Sequence, residues 1–232
     1  MRERLIVALD YSDMDSALAL VDQLGEAVEF YKVGMQLYYS VGNTVIEELA
    51  KRNKKIFLDL KLYDIPNTVA GAIQSLANPN IHFLTIHGLG GLAMMKAAVA
   101  AKEKYQLTHL NILAVTVLTS IDEEESKRLD WPGQVSDYAL TLASLSKDAG
   151  VNGIICSPEE ITRIKEKCGK DFYVVTPGIR PAGADVGDQS RIATPAKAMK
   201  AGSDYLVVGR PITQAKNPKE AAIQIVEEMS RR

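Results

Sequence analysis

The sequence is poor in cysteine. Cys156 and Cys168 are the only two among 232 residues, too few for a disulfide framework and in keeping with a reducing compartment. No CxxC and no Cys/His cluster offers a zinc cage, and no metal ligand is assigned. An excess of one charge is also lacking, with 27 Lys and Arg against 29 Asp and Glu. So balanced a chain carries no implied basic surface, and nucleic-acid binding is not expected. Long apolar runs are missing too. The longest, near Leu110–Leu118, falls far short of the roughly 18 residues of a membrane helix. The segment from Met1 turns acidic at Asp10, too soon for a signal peptide. No linker, low-complexity stretch or charge block divides the chain. These absences lead us to expect a cytoplasmic protein with no membrane partner and a single domain over residues 1–232.

What is present is an alternation of short apolar segments with amphipathic ones. Eight segments read as strands buried on both faces: Leu5–Asp10, Phe30–Gly34, Ile56–Lys61, Phe83–His87, Ile112–Leu118, Gly153–Cys156, Tyr173–Thr176 and Tyr205–Val208. Helical patterns lie between and after them. Asp13–Leu24 closes before Gly25, Ser136–Ala149 opens on a capping serine, and Pro158–Lys167 opens on proline. The others are Asn43–Arg52, Thr68–Leu76, Gly91–Tyr105, Pro195–Lys200 and Pro218–Met229. Eight such units in 232 residues leave about 29 residues each, close to the minimum for a βαβ element. The expected fold is α/β, a closed (β/α)8 TIM barrel. An open doubly wound sheet would want a glycine-rich fingerprint after strand one, where Asp10-Tyr11-Ser12-Asp13 stands instead.

The charges fall in unexpected places. Asp10 ends strand one, Lys32 lies in strand two, Asp59 and Lys61 end strand three, and Asp64 follows. Strands buried on both faces do not carry ionised groups without a reason. In a barrel the C-terminal strand ends form the mouth of the active site. The period of two puts Asp59 and Lys61 on one face of strand three, with Leu58, Leu60 and Leu62 on the other. A structural ion pair plugging the barrel top is the plain alternative for one pair. Several such charges together point to a functional network, because buried ion pairs often fail to recover their desolvation cost.

A second group sits after strands seven and eight, where barrels commonly bind phosphate. It comprises Pro177-Gly178-Ile179-Arg180, Gln189 in the long segment Gly178–Arg191, and Gly209-Arg210. Glycine lets backbone N–H groups approach an anion, arginine offers a planar fork, and a short helix from Ile212 onward would add its N-terminus. The alternative is a turn with a surface arginine. Thr119 and Ser120 follow strand five as possible ligand contacts. His87 reads as a wall residue, with a base or metal ligand as the alternative; Cys156 reads as a buried thiol.

Asp59-Leu60-Lys61-Leu62-Tyr63-Asp64-Ile65-Pro66-Asn67-Thr68 closely resembles the signature of the orotidine 5'-monophosphate decarboxylases. The resemblance runs through Leu9-Asp10, Tyr31-Lys32-Val33-Gly34, Leu118-Thr119-Ser120, Pro177-Gly178-Ile179-Arg180, Gln189 and Val208-Gly209-Arg210, with no departure at these positions. The Asp-x-Lys-x-x-Asp core is shared with other members of the superfamily, whereas the ensemble is more specific, and the single-function bacterial form is the nearest likeness. The resemblance implies that Lys61 donates a proton to C6 of the pyrimidine as carbon dioxide leaves, flanked by Asp59, Asp64 and Lys32. It implies that Asp10 and Lys32 bind the ribose hydroxyls, that Asp59 lies by the substrate carboxylate, and that Thr119 contacts the base. Arg180, Gln189, Gly209 and Arg210 would surround the phosphate, and Gly178–Arg191 would form a lid. Asp64, Ile65 and Thr68 would enter the site of a partner subunit, making the active unit a homodimer. No metal or organic cofactor is implied. Two alternatives remain at this point: a metal-dependent sugar-phosphate decarboxylase or aldolase on the same barrel, and a phosphometabolite-binding barrel without turnover.

Overall fold

The structure is a computed structural model that describes residues 1–76, 78–131, 133–181 and 191–231. Eight parallel strands close on themselves in chain order: β1 Leu5–Ala8, β2 Phe30–Gly34, β3 Lys55–Leu62, β4 Ile81–His87, β5 Asn111–Val115, β6 Gly153–Ile155, β7 Tyr173–Thr176 and β8 Tyr205–Val208. The last strand pairs with the first, Val208 opposite Val7, so the sheet has no free edge. Around it run α1 Met14–Leu24, α2 Met35–Val41, α3 Thr44–Lys51, α4 Pro66–Gln74, α5 Gly91–Lys104, α6 Glu123–Arg128, α7 Val135–Asp148, α8 Ile161–Cys168, α9 Pro195–Ala201, α10 Arg210–Thr213 and α11 Pro218–Met229. The result is the expected (β/α)8 TIM barrel.

The alternation of side chains along each strand sorts the apolar residues into two cores. Leu5, Val7, Tyr31, Val33, Leu58, Leu84 and Ile154 point outward and pack under the helices. Ile6, Ala8, Phe30, Phe57, Phe83, Leu113, Val175 and Val207 point inward and fill the barrel. Lys32 pairs in register with Ala8 on one side and Phe57 on the other, so its side chain enters the interior at a fixed height.

Helix starts follow local chemistry. Asp13 caps α1 by accepting from Ser16 N (2.8 Å), and Gly25, with φ of 51°, ends it. Thr194 caps α9 and Asn217 caps α11, each followed by proline in the first turn. Three expectations need correction. Strands one and five end at Ala8 and Val115 rather than at Asp10 and Leu118, because the chain leaves the ladder after Leu9 N bonds Lys32 O and Thr116 N bonds Ile155 O. Ser136 does not cap α7: the helix starts one residue earlier, and Glu123 Oε1 accepts from Val135 N (3.1 Å). Pro158 does not open α8, since Ser157 and Glu160 close a local hydrogen-bonded turn that delays the helix to Ile161. Helices α2 and α6 were not anticipated. Glu123–Arg128 is charged at every position but the buried Ser126 and offers no apolar stripe to read; Asp122 caps it by accepting from Glu124 N and Glu125 N, both at 2.9 Å.

Candidate active site

At the C-terminal end of the strands a cavity of about 500 Å³ opens among β1, β2, β3, β5, β6, β7 and β8, within the usual range for small-molecule sites. Among the described residues, Lys32, Lys61, Arg180 and Arg210 line it against two carboxylates, Asp10 and Asp59, with Phe57, Val115, Val117, Ile155 and Val207 as apolar walls. A surplus of cations over carboxylates in a half-enclosed cavity favours an anionic ligand.

The charges form an alternating chain. Lys32 Nζ lies 2.9 Å from Asp10 Oδ1 and 3.8 Å from Asp59 Oδ2. Lys61 Nζ donates to both oxygens of Asp59 at 3.0 Å. Asp59 is buried, and its Oδ1 also accepts from Thr85 Oγ1 at 2.9 Å. The same hydroxyl accepts from Lys61 N at 2.9 Å, so one threonine of β4 holds both members of the pair. Gly34 makes room for the arrangement: a Cβ there would stand 2.8 Å from Lys32 Nζ.

Asp59 and Lys61 both face the cavity, as the period of two requires, and Leu58, Leu60 and Leu62 pack outside the barrel; the departure from a regular strand lies in the backbone of Lys61. It adopts φ of 51°, and the register between β3 and β4 jumps from Leu58 to Leu62. A left-handed lysine at a bulge turns its side chain back over Asp59, at a backbone cost of roughly 1–2 kcal/mol for an L-residue. Strain of this kind concentrates at functional sites.

Thr119, Gly209, Arg180 and Arg210 all line the same cavity. Arg180 is buried and donates to Ile179 O at 2.9 Å. Helix α10 begins at Arg210, two residues before the expected start at Ile212, whose N–H is already bonded to Gly209 O. Gln189 and most of the expected lid lie outside the described residues. Asp64, Ile65 and Thr68 are not brought to this cavity; they stand exposed on the stretch from β3 into α4, where Asp64 accepts from Ile65 N at 2.7 Å. Ser120 lines a separate surface depression. His87 accepts from Leu89 N and meets the Tyr63 ring at a tilt, centroids 5.6 Å apart, a wall role; burial, reinforced by Lys61, pushes its pKa down. Cys156 is fully buried, which raises its thiol pKa well above the ordinary range.

Sequence reasoning passed over Thr85 and Gly34. Thr85 was visible as the hydroxyl-bearing residue two positions after Phe83, on the inner face of the strand beside Asp59. Gly34 stood in the Tyr31-Lys32-Val33-Gly34 stretch of the resemblance, but nothing in the sequence showed that it makes room for Lys32 Nζ. Among the described residues no three His, Cys, Asp or Glu side chains gather as a metal cluster, and no helix is long and apolar enough to cross a membrane.

Fold and cavity together define a class, the (β/α)8-barrel enzymes with a charged, lysine-bearing mouth. Within that class, the chain belongs to the Orotidine 5'-phosphate decarboxylase / HUMPS family, whose model matches residues 3–225. It is 46% identical over 229 residues to the orotidine 5'-phosphate decarboxylase of Methylobacterium nodulans, covering 99% of this chain and 96% of that protein. It is 44% identical over 233 residues to that of a Nostoc species, covering 98% of each. A crystal structure of the orotidine 5'-phosphate decarboxylase of Lactobacillus acidophilus superposes with a TM-score of 0.86 at 39% identity, over 99% of this chain and all of the other. The chain is a carboxy-lyase of this family.

Proposed function

We propose that this barrel, residues 1–232, converts orotidine 5'-monophosphate to uridine 5'-monophosphate and carbon dioxide as a step in making pyrimidines, in the cytoplasm and without metal or organic cofactor. The observation that carries the reading is the chain Asp10–Lys32–Asp59–Lys61 at one side of a cavity that also holds Arg180 and Arg210.

In the reaction the bond from C6 to the carboxylate breaks and its electron pair stays on C6. No adjacent carbonyl takes up that charge, so a preorganised cation must meet it. Lys61 supplies it: the ammonium held on Asp59 lies where charge develops and gives its proton to C6, leaving a neutral amine that solvent reprotonates. Asp59 faces the substrate carboxylate and fixes Lys61, while Asp10 and Lys32 hold the ribose hydroxyls. Thr119 meets the base. Arg180, Arg210, Gly209 and Gln189 take the phosphate, whose binding energy orients the distant reacting bond. Gly209 lines the cavity and, having no side chain, leaves its backbone open to close approach of an anion.

The active unit is a homodimer in which Asp64, Ile65 and Thr68 of each chain complete the partner's site. Their exposure on the stretch from β3 into α4, with Ile65 unusually bare for an isoleucine, supports that role. Both carboxylates that line the cavity among the described residues are paired to lysines, so a divalent metal would have to displace an ammonium to bind them; this favours the metal-free reading. The test is loss of ultraviolet absorbance when the protein meets orotidine 5'-monophosphate with a chelator present. Turnover with release of carbon dioxide is expected. Turnover only after magnesium is restored would overturn the cofactor-free reading, and nucleotide binding with no turnover would leave a binding barrel.

A further inference from the structure

Behind the cavity wall lies a buried polar cluster to which the reaction assigns no part. The segment after β7 leaves through Gly178, Ile179 and Arg180 and returns at Arg191, and its neck is closed by Arg180 N to Ala193 O (2.9 Å) and Ala193 N to Gly178 O (3.2 Å). Arg191, 8% exposed, turns inward. Its Nη2 donates to Leu118 O after β5 (3.0 Å); its Nη1 donates to Ser157 Oγ after β6 (3.2 Å) and to Glu160. Glu160, 1% exposed, accepts from Ser157 N at 2.8 Å and Ser157 Oγ at 2.5 Å through its other oxygen. One guanidinium therefore ties together the ends of β5, β6 and β7.

The arrangement is costly in ways that stability alone does not explain. A buried ion pair often adds less than apolar residues of the same volume would. Burial raises the pKa of Glu160, with Ser157 and Arg191 opposing it. Arg191 Nε is moreover the buried side-chain donor left without a partner among the described residues, and such orphans call for an explanation. Geometry supplies one. Leu118 precedes Thr119, and Thr119 and Arg180 line the cavity at the proposed base and phosphate ends.

We propose that Arg191, clamped by Glu160 and Ser157, is a positioning residue that sets the distance between the base end and the phosphate end of the site. This rests on the nucleotide reading of the cavity. A ligand spanning both ends feels the distance, whereas one that fills a single end does not.

Affinities of uridine 5'-monophosphate, uridine and inorganic phosphate are to be measured by calorimetry and displacement for the wild type, Arg191→Lys and Glu160→Gln, alongside melting temperatures. Arg191→Lys keeps the charge and loses the fork. It is expected to weaken uridine 5'-monophosphate about tenfold or more while uridine and phosphate change less than about threefold, since small misplacements are expensive for doubly anchored ligands. Glu160→Gln, nearly isosteric, is expected to show the same split to a smaller degree and carries the test if the lysine variant does not fold. A fall in melting temperature with all three affinities unchanged, or equally reduced, would overturn the inference. Failure of the wild type itself to bind uridine 5'-monophosphate would overturn the nucleotide reading and this inference with it; binding by the wild type without the split overturns the inference alone.

Discussion

The two ends of the barrel interior are built on opposite terms. The N-terminal end is aromatic and apolar: Phe30, Phe83, Tyr173 and Tyr205 meet with ring centroids 4.9–6.0 Å apart, mostly edge to face. The C-terminal end, reached by continuing along the same strands, holds Lys32, Asp59, Lys61 and Thr85. Phe57 and Asp59 are successive inward residues of β3, so the change from packing to charge takes place within one repeat of the strand. Aromatic pairs contribute beyond the area they bury, and that end can be judged by what it contributes to folding. The charged end carries a strained residue and polar groups held away from water, and is to be judged by what it does to a ligand.

Substitutions at each end sharpen or break this division. The largest effect is expected from Lys61→Ala. Losing the proposed proton donor and preorganised cation together should lower kcat by at least about 10⁴-fold, taking the low end of each contribution, with the melting temperature little changed. Activity within tenfold of wild type would remove Lys61 from the chemistry. Lys61→Gly should be as inactive but more stable than Lys61→Ala by about 1 kcal/mol, because glycine accepts φ of 51° without strain. At the other end, Phe83→Ala should cost about 3–5 kcal/mol in denaturant unfolding and leave kcat/KM of the folded protein within about threefold. A large loss of catalysis from Phe83→Ala would show that the two ends are not separate.

Smaller effects probe the boundary. Thr85→Val keeps the shape and removes the hydroxyl that serves both Asp59 and Lys61 N. A lost buried hydrogen bond costs roughly 1–3 kcal/mol, so kcat/KM should fall about tenfold or more, with a modest drop in stability; unchanged kinetics would make Thr85 a packing residue. The smallest effect is a pH dependence. Burial, then Lys61, depresses the pKa of His87 below its ordinary value of 6.5. The folded form thus binds fewer protons than the unfolded one, and this contribution to stability, present above about pH 6.5, is lost as pH falls toward the folded value. His82 shifts in the same direction through burial. His87→Phe should flatten the fall in melting temperature between about pH 7 and pH 5, by less than about 1 kcal/mol; parallel curves for the two proteins would show that His87 adds nothing.

Most of the fold was legible because a strand buried on both faces leaves an unmistakable run such as Tyr205–Val208, and all eight runs matched strands to within a few residues. The charged array was legible for the opposite reason, as Asp59 and Lys61 violate such a run. Interactions with partners distant in sequence were not legible. Arg191 meets Glu160 and Leu118 only through the closure of the barrel, and Thr85 serves Lys61 across a bulge that no alternation rule foresees. Helices without an apolar stripe escaped for want of a period, as α6 did. Asp64 was read from its motif; in one chain it stands exposed and apart from the cavity.

The left-handed backbone at Lys61 has a consequence in entropy. A lysine tail free in solvent samples many rotamers, and ordering one forfeits roughly 1.5–2 kcal/mol. Here the backbone aims the side chain, Thr85 fastens its amide, and Asp59 grips the ammonium with both oxygens. That loss of freedom is incurred once, when the chain folds, and is not repeated with each substrate that arrives.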